Sequence, residues 1–120
     1  KTHFNVWGSS ATPSGTHGVQ LWVRRRLNAH ALEINPMNHR MLFVVIIVSG
    51  RTLIIGVVHA PINGSEESEP FFKQLADTVR RMETKYPSAF LMVLGDFNAK
   101  IGSVPSPGIG PHDPEIENDN

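Results

Sequence analysis

A chain of 120 residues has room for one domain of ordinary size and not for two. Its eleven Lys and Arg balance eleven Asp and Glu, so no global basic excess gathers phosphates, although a local basic patch stays open. Hydrophobic residues at 40% argue for a packed core, and the lack of cysteine excludes disulfide frameworks, thiolate metal sites and cysteine nucleophiles. The longest apolar run, Met41 to Val48, falls far short of the roughly 18 residues of a membrane-spanning helix. The opening Lys1-Thr2-His3 has neither an initiator Met nor a hydrophobic leader, which leads us to expect a piece of a longer chain.

Up to Gly18 the residues are small and turn-prone, with room for a short strand around Phe4 to Trp7. Val19 to Val23 mixes apolar and β-branched residues and is predicted as a strand that leaves the core at Arg24-Arg25-Arg26. That Arg run is either a solvated strand exit or a phosphate clamp. Met41 to Val48 and Thr52 to Val58, joined by Ser49-Gly50-Arg51, predict a hairpin whose continuous apolarity places it inside a layered structure. A helix is predicted over about 69–85, with Ser68 as N-cap and Pro70 in the first turn. Phe71, Leu75, Val79 and Met82 mark its inner face, widened by Phe72 and Ala76. Glu69 with Lys73 and Asp77 with Arg81 have the favourable acid-before-base spacing on its outer face. Phe90 to Leu94 is a further apolar strand that runs into Gly95-Asp96-Phe97-Asn98-Ala99; beyond it the chain loosens into Pro- and Gly-rich sequence with an acidic end.

Strand, helix and strand from Thr52 to Asn98 make one βαβ unit, whose strands are parallel and finish at the same sheet edge. If they are neighbours, His59, Asp96 and Asn98 meet at the carboxyl edge, where open α/β sheets place their sites. Asp96 emerges from a dry strand, and Gly95 offers no side chain to block a ligand. On an extended segment Asp96 and Asn98 share a face while Phe97 turns to the core. A carboxylate beside a carboxamide can hold a water, take its proton and support a metal or phosphate oxygen, and an imidazole nearby can donate to an oxygen. Asp and Asn after Gly are equally ordinary turn formers, so spacing leaves both readings open. The other histidines (His3, His17, His30, His39, His112) show no metal-ligand spacing.

Gly95-Asp96-Phe97-Asn98-Ala99, Val58-His59-Ala60-Pro61 and Gly18-Val19-Gln20-Leu21-Trp22-Val23, in that spatial context, resemble motifs of the endonuclease/exonuclease/phosphatase superfamily. The segment from Gly110-Pro111-His112 to Glu117-Asn118-Asp119-Asn120 is similar to the stretch after the Gly-Asp-Phe-Asn motif in LINE-type retrotransposon endonucleases. The resemblance implies an α/β fold, a four-layer sandwich of two packed β-sheets with outer helices, of which residues 1–120 would be a central fragment. It also implies Mg²⁺- or Mn²⁺-assisted phosphodiester hydrolysis with DNA as the partner, in a parent protein fused to a reverse transcriptase. Carried onto this sequence, Asp96 orients and deprotonates the attacking water, Asn98 holds that water or a phosphate oxygen, and His59 supports charge on the phosphate. Asp96 and Asn98 would be the metal ligands. The family's Asn and Glu motifs before the Gly-Val strand and its closing Ser-Asp-His motif have no counterpart; Glu33, the one acid before His59, follows that strand. The resemblance therefore implies a chain inactive alone. It leaves an inositol-phosphate or phospholipid phosphoesterase, or a non-catalytic remnant, as alternatives. Calcineurin-type metallophosphatases are not matched, since their second Asp and Gly-Asn-His segment are missing.

Overall fold

The computed structural model describes residues 3–10 and 18–98, and the elements run β1 (Phe4–Gly8), β2 (Gln20–Arg24), β3 (His30–Asn38), β4 (Met41–Val48), β5 (Arg51–His59), α1 (Ser68–Lys85) and β6 (Phe90–Asp96). A 3₁₀ turn, Arg25–Leu27, follows β2. β1 and β2 pair antiparallel as a small sheet, while β3-β4-β5-β6 form a second sheet in that order. The β3-β4 and β4-β5 pairings are antiparallel and β5-β6 is parallel, so α1 is the crossover of the expected βαβ unit. The architecture of the described residues is α/β, two sheets with one α-helix, consistent with a fragment of an α/β sandwich. Expectations that fall on residues 11–17 and 99–120 lie outside the described residues.

The period-2 pleat sorts the hairpin into two cores. Met41, Phe43, Val45, Ile54 and Val58 face α1, where Phe71 and Met82 close over them. Leu42, Val44, Ile46 and Ile55 face the small sheet and meet Val19, Leu21 and Val23. Both faces of β4 are thus dry, as its unbroken apolar run predicts. Ser49 and Gly50, at φ 51° and 75°, make the two-residue turn whose twist suits a hairpin. Gly56 lies opposite Phe43 in register, and a Cβ there would come within 2.7 Å of the ring, so the missing side chain makes room for the aromatic.

The structure corrects several sequence expectations. β3 is not among the predicted strands: Pro36 and two register shifts, between Ala31 and Glu33 and between Pro36 and Asn38, blur its alternation, and both features are tolerated because it is an edge strand. Ser68 is not the N-cap but the buried first residue of α1; Glu67 precedes it without a side-chain cap. Thr78, not Ala76, completes the buried helix face at the 71, 75, 78, 82 spacing. Asp77 pairs with Arg80 rather than Arg81. The hairpin is covered by β2, but β6 leaves Phe90 and Leu94 exposed on the face opposite α1.

Glu33, on the α1 side of β3, ties the end of the helix to the sheet edge. Its Oε1 accepts from Lys85 Nζ at 2.7 Å and from Tyr86 OH at 2.6 Å, and Oε2 accepts from Asn35 Nδ2 at 2.6 Å. The hydrogen bonds from Asn35, Lys85 and Tyr86 lower the carboxyl from 4.5 to about 2. A depressed folded value means that this stability is complete above the unfolded pKa and drains away as pH falls from about 4.5 to about 2. Glu33→Gln is expected to cost about 1–2 kcal/mol at pH 7, after allowance for solvent screening of the exposed partners. Melting curves across pH check this: the wild-type advantage should shrink towards zero by pH 2, and a gap independent of pH would contradict it.

Candidate active site at a sheet edge

The parallel register sets His59 beside Asp96, the last rung of the β5-β6 ladder. Alternation puts both on the face opposite α1, since Val58, Ala60 and Phe97 belong to the helix-side core. The Ala60 N–H donates to the Asp96 carbonyl at 2.8 Å, continuing the pairing one step past β5. Asn98 Nδ2 donates to the Ala60 carbonyl at 2.6 Å, and the Asn98 N–H donates to Asp96 Oδ1 at 2.8 Å. The structure thus brings His59, Asp96 and Asn98 to one edge.

The means differ from the expected extended segment. Asn98 has φ 49°, in the left-handed region, and Asp96 closes an Asx turn onto its N–H. The turn-forming reading of Gly-Asp-Phe-Asn is what the structure shows, and the turn keeps Asp96 and Asn98 together at the edge. One Asp96 oxygen and the Asn98 amide nitrogen are thus spent on geometry, which leaves Asp96 Oδ2 and Asn98 Oδ1 as the acceptors to consider for chemistry. Asp96 is exposed on an open rim rather than seated in a pocket.

Gly95 also has a different reason from the expected one. Its φ is 140°, and a Cβ would lie 1.9 Å from the Val58 carbonyl oxygen. The bare backbone is required by the close approach of β5, so Gly95 acts on Asp96 through the strand and not by clearing a path for ligand.

Arg40, between β3 and β4, is a site neighbour that sequence reasoning misses. Its carbonyl accepts from the His59 N–H at 2.9 Å, and its Nη1 donates to the His59 carbonyl at 3.1 Å, so the end of β5 is held from both sides. Glu67 Oε1 lies 3.6 Å from the buried Arg40 Nε, an ion pair too long for a hydrogen bond. The only sequence signal is a basic residue directly before a buried strand. Arg40 also lines an open cleft of about 350 Å³ with Asn38, Pro61, Glu67, Phe71 and Gln74; His59, Asp96 and Asn98 do not line it. Chemistry at the edge and volume in the cleft are separate features.

Among the described residues no three His, Asp or Glu side chains group to hold a metal ion. Mg²⁺ is held by one or two carboxylates with several waters, but Asp96 has one oxygen committed to the Asn98 N–H. The described residues do not by themselves form a metal-binding cluster at this edge. Glu33 is not available either, with both oxygens engaged by Asn35, Lys85 and Tyr86.

No protein-family model matches the chain. Over 93 residues, 78% of this chain, it is 32% identical to Craniofacial development protein 2 of Bos taurus. The chain covers 16% of that protein's length. This similarity supports a coarse relation of the endonuclease/exonuclease/phosphatase kind.

Proposed function

We propose that the chain is the central part of a phosphodiester hydrolase domain of the endonuclease/exonuclease/phosphatase type, and within that superfamily of the LINE retrotransposon type that nicks DNA. The observation that supports it most is the last β5-β6 rung, His59 beside Asp96, with Asn98 folded back onto Ala60. In this reading Asp96 Oδ2 takes the proton of the attacking water. Asn98 Oδ1 accepts a hydrogen bond from that water and fixes its direction, and the His59 imidazole donates to a phosphate oxygen as charge builds there. The Asx turn is what makes the pair rigid: holding Asp96 Oδ1 leaves a single oxygen free to act as base.

A divalent ion, Mg²⁺ or Mn²⁺, is part of this proposal for the complete domain, and its remaining carboxylate would come from beyond the described residues. Catalytic groups that act as a set lose far more than their share when some are removed. The isolated chain is therefore expected to nick supercoiled plasmid no faster than its Asp96→Ala variant in the presence of Mg²⁺. Turnover by the chain alone that Asp96→Ala abolishes would overturn the partial-site reading. The activity itself is tested in a longer polypeptide that contains this chain, by the loss of Mg²⁺-dependent nicking on Asp96→Asn.

A further inference from the structure

The Arg24-Arg25-Arg26 run is not used by the sheet-edge site. Gly18 N donates to the His39 carbonyl at 2.8 Å, so β2 starts at the end of the fold where β4 begins and β5 finishes, and leads away from it. Its outward positions, Gln20, Trp22 and Arg24, alternate with the buried Leu21 and Val23. In register on β1, Phe4 lies opposite Arg24 and Val6 opposite Trp22. The outer face of the small sheet thus presents a guanidinium, a phenyl ring and an indole in succession. The Arg24 guanidinium carbon is 5.3 Å from the Phe4 ring centre, and the Phe4 and Trp22 centres are 5.6 Å apart. Trp22 is 56% exposed, and its indole N–H donates to Gln20 Oε1 at 3.0 Å, which restrains the ring while leaving it open. Arg25 and Arg26 continue the cationic end, both exposed.

We propose that this face binds single-stranded nucleic acid, with bases stacking on Trp22 and Phe4 and phosphates held by Arg24, Arg25 and Arg26, at a site separate from the His59-Asp96 edge. Aromatic faces beside cations are the chemistry that recognises unpaired bases on a polyanionic backbone. Charge selects this occupant: no Asp or Glu occurs before Glu33, so the balanced net charge conceals an uncompensated basic cluster at Arg24-Arg25-Arg26. A purely apolar cover would strand three adjacent guanidiniums against it without counter-charge.

The test is fluorescence anisotropy of the full 120-residue chain with a labelled oligothymidylate, in EDTA, so that its outcome is independent of any hydrolysis. Binding is expected at low salt with a log–log salt slope near −2, as about three neutralised phosphates give on a single strand. Trp22→Ala should weaken it about tenfold, and Arg25→Ala with Arg26→Ala should flatten the slope by about 1.4 units. All three positions are exposed, so circular dichroism should be unchanged. Tryptophan quenching on binding should persist in Trp7→Phe, whose ring packs on the inner side, and vanish in Trp22→Phe. No binding at low salt, binding indifferent to these substitutions, or a dimer dispersed by Trp22→Ala in place of oligonucleotide binding would each overturn the proposal.

Discussion

Gly95→Ala is expected to lower stability by about 3 kcal/mol or more, the sum of left-handed backbone strain and a steric conflict that cannot relax. The added carbon would sit 1.9 Å from the Val58 oxygen and 2.9 Å from its carbonyl carbon. Both are backbone atoms of a central strand, and Gly95 is the register partner of Val58, so neither side can swing away without opening the last rungs of the ladder. Those rungs position Asp96 beside His59, and the substitution should therefore disorder the sheet edge as well as destabilise the fold. Gly64→Ala is the matched control. Its φ of 84° is also left-handed, but nothing lies within 4 Å of the new carbon, and only about 1 kcal/mol of strain is expected. Urea denaturation of the two variants reads the contrast directly. A Gly95→Ala midpoint close to that of Gly64→Ala would show that the strand approach is not what demands glycine.

The central sheet is legible in the sequence because its strands advertise themselves. β4 and β5 are continuous runs of Val, Ile, Leu and Phe, and a two-residue turn with glycine separates them. Their length and β-branching leave little room for a helix. α1 is legible from its period, and the crossover length then dictates that β5 and β6 run parallel. β3 is hidden because an edge strand answers to weaker constraints: half its residues are wet, and Pro36 and its bulges break the alternation that a two-period reading needs. Sequence spacing brings His59, Asp96 and Asn98 to one edge through topology alone. The Asx turn is local and stands among the readings that spacing leaves open; what spacing cannot supply is the anchor from the Asn98 amide to the Ala60 carbonyl, 38 residues away in the chain. Arg40 is invisible for the same reason: its partners are the main chain of His59 and a carboxylate in the turn before α1. The outer face of the small sheet falls between these cases, since β2 alternates clearly, but the pairing that puts Phe4 next to Arg24 joins residues distant in the chain.

Asp96→Asn isolates the chemical role proposed for the carboxylate. Asparagine has nearly the same shape, and its carbonyl oxygen can still accept the Asn98 N–H that Asp96 Oδ1 accepts now, so the Asx turn and the β5-β6 rung should survive. The negative charge and the basic oxygen are lost. Removal of a positioned general base typically costs about 10²–10⁴-fold in rate, and a value of about 10³ is expected here. The most direct measurement is Mg²⁺-dependent nicking of supercoiled plasmid by a longer polypeptide that contains this chain, wild type against Asp96→Asn, with melting temperatures recorded for both. Nicking by the wild type is expected, with a loss of about 10³-fold in the variant at an unchanged melting temperature. A variant that folds and nicks at the wild-type rate would contradict it.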